Sequence, residues 1–155
     1  MVARSNHLLL LNVGALLLLT AAPGLARQAK PSVNTDRTGI AIKGYDVVAY
    51  ATAGAAIEGS REFEHRWNGA VWRFSSATNR DRFAQAPDQY APQFGGYCAY
   101  AVSRGYTADV DPDAFRIIDG KLYLNYSKRV QRLWEGDIPA NIAKGRANWP
   151  AVLDK

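Results

Sequence analysis

The sequence predicts a small single α+β domain with two β-hairpins and several short helices. Asn68-Gly69 and Asp119-Gly120 each separate two stretches with alternating large and polar residues, and a two-residue turn of this kind is the strongest short-range hairpin signal. A serine follows each predicted hairpin, where it can cap a helix. The composition, 48% hydrophobic and 21% charged, is that of a folded globular domain.

Residues 1–26 are predicted to form a secretory signal peptide. Arg4 provides an early positive charge, residues 8–19 form an apolar run too short to span a bilayer comfortably, and small residues precede an expected cleavage after Ala26. We therefore expect a periplasmic or secreted product with no stable membrane anchor after cleavage; an uncleaved anchor is the alternative. Residues 27–38 are polar and predict a flexible lead-in, with order beginning near Gly39.

The first predicted hairpin comprises residues 62–67 and 70–75. Its two-residue turn fixes the register and therefore decides which residues share a face. The facing pairs on the apolar side are predicted to be Trp67 with Ala70, His65 with Trp72, and Phe63 with Phe74. His65 is thus expected on the apolar face, among aromatic neighbours.

The segment between the hairpins is predicted to be helical in part. Ser76 can cap a helix that ends before Pro87. Residues 97–103 fit either a short helix that starts after Gly95-Gly96 or a buried strand. We favour the helix because the small alanines of this segment suit close packing.

The second predicted hairpin comprises residues 114–118 and 121–126, and two helices follow it. Ser127 is expected to cap an amphipathic helix over Lys128–Glu135, and Pro139 to lie in the first turn of a last helix through Lys144. We detect no internal repeat in the sequence. The predicted pairs and inward side chains are Ile117 with Leu122, Phe115 with Leu124, and Val130, Leu133 and Trp134.

A family resemblance rests on the first hairpin and the helix after it. The stretch Trp67-Asn68-Gly69-Ala70-Val71-Trp72-Arg73-Phe74-Ser75-Ser76, followed by Asn79, Phe83, Pro87 and Tyr90, resembles the YHS domain. The flanking residues 44–50, 90–99 and 119–126 look like the exported bacterial branch of that family, so that the resemblance covers residues 39–153. It implies a fold similar to metallochaperone-type domains, whose cysteines bind metals such as copper.

This chain departs from the family at the two cysteine positions of the core motif. Ser75 and Asn79 occupy them, and neither is a good ligand for a soft metal. The family's usual metal site is therefore not carried over to these positions. Cys98, the only cysteine of the chain, lies outside that motif.

The composition excludes several kinds of site. A single cysteine excludes an intramolecular disulfide and a Cys₄ zinc site. His7 falls in the predicted signal peptide, so that His65 is the only histidine expected in the mature chain, and a three-histidine metal site is excluded. The net charge is +5, but the basic residues are scattered, and we predict no nucleic-acid partner.

Three side chains are candidates for chemistry. Cys98 is expected at the start of a helix, where the helix dipole would lower the pKa of its thiol and make it a metal ligand or a nucleophile; a buried, inert thiol is the alternative. His65 can meet Cys98 as a second ligand or as a base, or can be a core histidine. Asp46 is expected to cap the helix that follows it, with an oxygen ligand as the alternative.

These candidates lead to three functional hypotheses. The first is an exported YHS-like module that binds a copper or zinc ion through Cys98 and His65. The second is a non-catalytic domain that binds an unknown protein partner and holds Cys98 buried and inert. The third, a thiol-dependent enzyme, is disfavoured because no second cysteine can resolve an oxidised Cys98.

Overall fold

The computed structural model describes residues 28–155 and confirms the small α+β domain. The predicted signal peptide, residues 1–26, lies outside the described residues. Within the described part, no helix is both long and apolar enough to cross a membrane. The helices and strands are α1 (Val47–Ala53), β1 (Ser60–Trp67), β2 (Ala70–Phe74), α2 (Ala77–Gln85), α3 (Pro87–Tyr90), α4 (Ala99–Ser103), β3 (Asp111–Ile118), β4 (Lys121–Asn125), α5 (Lys128–Glu135) and α6 (Ile138–Asn148).

Both predicted hairpins form, and each is an antiparallel two-stranded sheet. His65 lies opposite Trp72, and Ile117 lies opposite Leu122, as the turn residues predict. The predicted pairing of Phe63 with Phe74 is wrong. An irregularity in β1 shifts the register between Ser60 and Glu64, and Ser60 faces Phe74 instead. A bulge of this kind cannot be read from the turn, which fixes only the pairs next to it.

The serine caps are also confirmed. The Ser76 hydroxyl accepts a hydrogen bond from the Asn79 backbone N–H at 3.1 Å, and the Ser127 hydroxyl accepts one from Val130 at 3.2 Å. Residues 99–103 are helical, as favoured over a strand, and α6 continues beyond Lys144. Of the side chains expected inward on α5, Trp134 is fully buried, but Leu133 is 53% exposed, so the prediction for Leu133 is wrong.

The expected lead-in makes specific contacts with the domain. The Lys30 backbone N–H donates to the Leu153 carbonyl at 2.8 Å, and that of Asn34 donates to the Gly95 carbonyl at 2.8 Å. Val33 is 2% exposed and belongs to the core. The contacts of the described chain with the domain therefore begin at Lys30, before the expected Gly39.

The two hairpins belong to two copies of one structural unit. In each copy, a strand of eight residues, a two-residue turn and a strand of five residues lead to a serine-capped helix. Each copy also has its register irregularity at the same place, between Ser60 and Glu64 in the first and between Asp111 and Phe115 in the second. Ser60 precedes Asp111 by the same number of residues as Glu64 precedes Phe115, so the two hairpins align without a gap.

The likeness extends to the segment before each hairpin. Ile42, Lys43 and Gly44 have positive φ angles of 47°, 55° and 83°, and residues 94–96 have 56°, 60° and 79°. In each copy a tyrosine follows, and its backbone N–H donates to the carbonyl of the first left-handed residue at 3.0 Å. A short helix then begins, α1 or α4. We call residues 42–85 the N-terminal unit and residues 94–135 the C-terminal unit.

Each unit has an equivalent aromatic pair in its core. Trp72 and Phe83 have ring centroids 5.0 Å apart at 34°, and Tyr123 and Trp134 have centroids 5.2 Å apart at 33°. The buried residues form two clusters, one for each pair. Strand β4 lies between them, because Leu122 and Leu124 belong to the first cluster and Tyr123 to the second.

Candidate functional site

Cys98 lies at the N-cap of α4, and its sulfur is hydrogen-bonded within the protein. Its side chain is buried, with 1% of the residue exposed. Sγ accepts a hydrogen bond from the Tyr126 backbone N–H at 3.3 Å and lies 3.7 Å from the Asn125 side-chain carbonyl oxygen, to which the thiol donates. Asn125 is itself fully buried. The thiol is thus part of the packed interior.

Burial raises the pKa of the Cys98 thiol, and the backbone N–H groups around the sulfur only partly offset this effect. The expected lowering by the helix dipole is therefore wrong in sign. Desolvation disfavours the thiolate, and α4 is only five residues long, so its end provides little compensation. A protonated, buried thiol is a poor nucleophile.

His65 has different neighbours. It lies half-buried on β1 opposite Trp72, and its ring lies edge-on to Phe83 with centroids 6.0 Å apart. This position confirms its prediction on the apolar side of the hairpin. No hydrogen bond joins it to Cys98 in the described structure, and the shared metal site remains a prediction. Within residues 28–155, no three side chains of His, Cys, Asp or Glu form a group that could hold a metal ion.

Asp46 is the most heavily hydrogen-bonded side chain of the N-terminal unit. Its carboxylate is fully buried, and Oδ1 accepts from the Val48 and Ala49 backbone N–H groups at 2.9 and 3.1 Å, which confirms the predicted helix cap. Oδ2 accepts from the Ser75 N–H and hydroxyl at 2.8 and 2.6 Å and from the Asn79 amide at 2.8 Å. The residues at positions 75 and 79 therefore bind a carboxylate.

Asp46 and Cys98 occupy equivalent positions in the two units. The Asp46 backbone N–H donates to the Ile57 carbonyl at 2.8 Å, and that of Cys98 to the Ala108 carbonyl at 3.0 Å. Each side chain also accepts a hydrogen bond from the backbone N–H of the residue that directly follows its hairpin, Ser75 or Tyr126. The same architectural position thus carries a carboxylate in one unit and a thiol in the other.

Asn125 provides the hydrogen-bond acceptor at the start of α4 that the Cys98 thiol does not provide. Its side-chain oxygen accepts a hydrogen bond from the Tyr100 backbone N–H at 3.2 Å, near the start of α4. In the N-terminal unit, the Asp46 carboxylate bonds both the helix N–H groups and the end of the hairpin. Cys98 and Asn125 divide these two tasks, so the geometry gives Cys98 a structural role.

One cavity lies where the two units and the C-terminal segment meet. This cleft, which we call the tryptophan cleft, has a volume of about 400 Å³ and is walled by Trp67, Trp72, Phe94 and Trp149. Trp67 and Trp149 are half-buried, so part of each indole remains accessible, whereas Trp72 is buried. The polar side chains that line it include Asn68, Asp88, Gln93 and Arg146.

A strained turn forms part of the cleft wall. Phe94 has a left-handed backbone, which costs a non-glycine residue about 1–2 kcal/mol. Its ring packs against Gly145, where a Cβ would come within 2.5 Å of the Phe94 ring. Gly95 approaches the Ser32 carbonyl so closely that a Cβ would lie 2.0 Å from the oxygen. Packing therefore holds the turn, and such conformations are frequent at ligand sites.

A second cleft of about 310 Å³ lies at the equivalent place in the C-terminal unit. Ile118 and Tyr123 line it where Trp67 and Trp72 line the first, and Asp119 takes the place of Asn68. Arg146 lines both clefts. The first cleft has the larger aromatic surface, and it also has the contribution of Trp149.

Sequence reasoning missed Arg146, Trp149 and Asn125. No local pattern marks them, because each acts only where distant segments meet. The three tryptophans of the cleft come from the first hairpin and from the end of α6. The only signal in the sequence is the presence of tryptophans on the first hairpin and near residue 149. Their positions in the sequence do not show that the side chains lie together.

Comparisons with known proteins give no relative for this chain: no family model, no curated protein and no solved structure matches it.

Proposed function

We propose that this protein is a non-enzymatic, YHS-like binding domain that is exported and holds its ligand in the tryptophan cleft. The observation that carries the proposal is the cleft itself. Its volume falls within the range of small-molecule sites, and it combines accessible aromatic walls with a few polar groups. A ligand that covers the indoles of Trp67 and Trp149 would remove apolar surface from water.

The burial of Cys98 supports a binding domain over a thiol enzyme. A catalytic thiol needs access to its substrate and a population of thiolate, whereas this sulfur is enclosed and its pKa is raised. The equivalence with Asp46 gives the thiol a structural task, which accounts for a lone cysteine without a ligand.

Metal binding by Cys98 and His65 is the competing proposal, and a titration separates the two. We expect the wild-type protein and the Cys98→Ser variant to bind copper and zinc equally weakly, because the sulfur is not available as a ligand. Uptake of one equivalent of either ion that the serine variant loses would instead establish the metal module. Circular dichroism of both proteins controls for loss of the fold.

The cleft itself can be tested with indole, a neutral flat molecule. We expect indole to shift the side-chain N–H resonances of Trp67 and Trp149 in two-dimensional NMR spectra while leaving that of the buried Trp134 unchanged. Tyr126→Ala serves as a control and should leave these shifts unchanged, because Tyr126 is an exposed aromatic residue that does not line the cleft. Absence of any shift at millimolar indole would contradict the proposed function.

A further inference from the structure

The tryptophan cleft is lined by one basic and one acidic side chain, Arg146 and Asp88. Arg146 is exposed on α6 and lines both clefts. The ion pairs of the described residues are Lys43–Asp109, Arg73–Glu64, Arg80–Asp81 and Arg116–Glu135, so Arg146 has no carboxylate partner there. Asp88 also lines the tryptophan cleft but forms no ion pair with Arg146. The guanidinium lies against the Tyr123 hydroxyl of the second cleft, and its remaining N–H groups are donors for an anion.

Hydrogen-bond donors outnumber charged acceptors around the same cavity. Within residues 28–155, neither the Trp67 nor the Trp149 indole N–H donates to a protein acceptor, whereas the buried Trp72 N–H donates to the Trp67 carbonyl at 3.0 Å. The guanidinium of Arg146 adds donors in a planar fork that matches a carboxylate. Donors on an aromatic wall beside an unpaired cation are complementary to a flat ligand that carries acidic oxygens.

We infer that the ligand of the tryptophan cleft is a small organic carboxylate with a flat apolar body, its carboxylate on Arg146 and its body against Trp67 and Trp149. This inference rests on the proposed function and specifies the class of ligand. The comparison of the two clefts supports the placement. Arg146 is common to both, but only the first offers two half-buried indoles, whereas the second presents Ile118 and Tyr123.

A pair of matched probes tests the charge. Indole-3-propionate and its primary amide share the same ring and chain and differ in the negative charge. We expect the wild-type protein to bind the carboxylate at least about tenfold more tightly than the amide, as measured from the shifts of the Trp67 and Trp149 side-chain N–H resonances, because an ionised acceptor bonds a guanidinium more strongly.

Two variants separate the site from a general effect of positive charge. Arg146→Gln should abolish the preference for the carboxylate and leave the affinity for the amide unchanged. Lys144→Gln removes an exposed charge of the same helix that does not line the tryptophan cleft, and should keep the preference. Both positions are exposed, so we expect both variants to keep the melting temperature of the wild type.

The outcomes distinguish this inference from the proposed function. Equal affinity of the two probes, with indole still bound in the cleft, would overturn the carboxylate assignment alone. Failure of indole and of both probes to bind would overturn both proposals. Shifts confined to the backbone amides of Ile118 and Lys121 would place the probe in the second cleft and also overturn the assignment.

Discussion

The N-terminal unit joins its first helix to its hairpin with one carboxylate, whereas the C-terminal unit uses a thiol and an amide for the same purpose. Asp46 accepts five hydrogen bonds from four residues. Cys98 and Asn125 together bond one helix N–H and one N–H at the hairpin end. The backbone around the two positions is nevertheless similar, with equivalent hydrogen bonds from the Asp46 and Cys98 N–H groups. The comparison shows that the unit tolerates different chemistry at this position when the surrounding donors change with it.

This difference predicts that the N-terminal unit depends more strongly on its cap. Asp46→Ala would remove the acceptor of five hydrogen bonds, including those of the buried Val48 and Ala49 backbone N–H groups, and we expect it to lower the free energy of unfolding by about 3–5 kcal/mol. Urea denaturation followed by tryptophan fluorescence measures this loss. A loss no larger than that of Cys98→Ala would show that the carboxylate is not the stronger of the two caps.

The glycines that end the two left-handed turns differ in how closely they are packed. Gly44 and Gly96 both have positive φ, but a Cβ on Gly96 would lie 2.2 Å from Ile42 Cδ1, whereas the nearest atom to one on Gly44, Arg73 Cδ, is 3.5 Å away. We expect Gly44→Ala to cost about 1–2 kcal/mol through the backbone alone. Gly96→Ala adds overpacking and should cost about 2–4 kcal/mol. Equal losses in urea denaturation would contradict the packing argument.

The buried thiol predicts a difference at alkaline pH. Because burial raises the pKa of Cys98, the unfolded chain loses the thiol proton before the folded chain does. The stability is therefore complete below the ordinary thiol value, and the unfolding free energy decreases as the pH rises above about 9. Between pH 8 and pH 10, we expect it to decrease more in the wild type than in Cys98→Ser, as measured by urea denaturation at each pH. Parallel pH profiles of the two proteins would show that Cys98 ionises equally easily in both states.

The two serine caps provide the smallest expected effects. Ser76→Ala and Ser127→Ala each remove one hydrogen bond at a helix start, and each should cost about 1 kcal/mol. Thermal denaturation measures both. Because the two caps have the same geometry in the two units, a difference much larger than 1 kcal/mol between them would show that the units are not energetically equivalent at this position.

The features that the sequence predicted correctly depend on neighbouring residues. The Asn68-Gly69 and Asp119-Gly120 turns, the pairs next to them and the serine caps all follow from local backbone preferences. The repeat was missed because these shared local signals are separated by side chains that differ, such as Asp46 and Cys98. Leu133 was misplaced because periodicity gives the faces of a helix but not the width of the contact that covers one of them.

Local signals were enough to predict the fold class, the two hairpins, the caps and the position of His65 on the apolar side of its strand, because turns, capping and alternation act over a few residues. The folded chain was needed to show that Cys98 is enclosed, that Asp46 binds Ser75 and Asn79, and that Trp67, Trp149 and Arg146 meet at one cleft. Burial and convergence depend on contacts between residues far apart in the chain. Such contacts exist only where the two units pack against each other and against the segments before and after them.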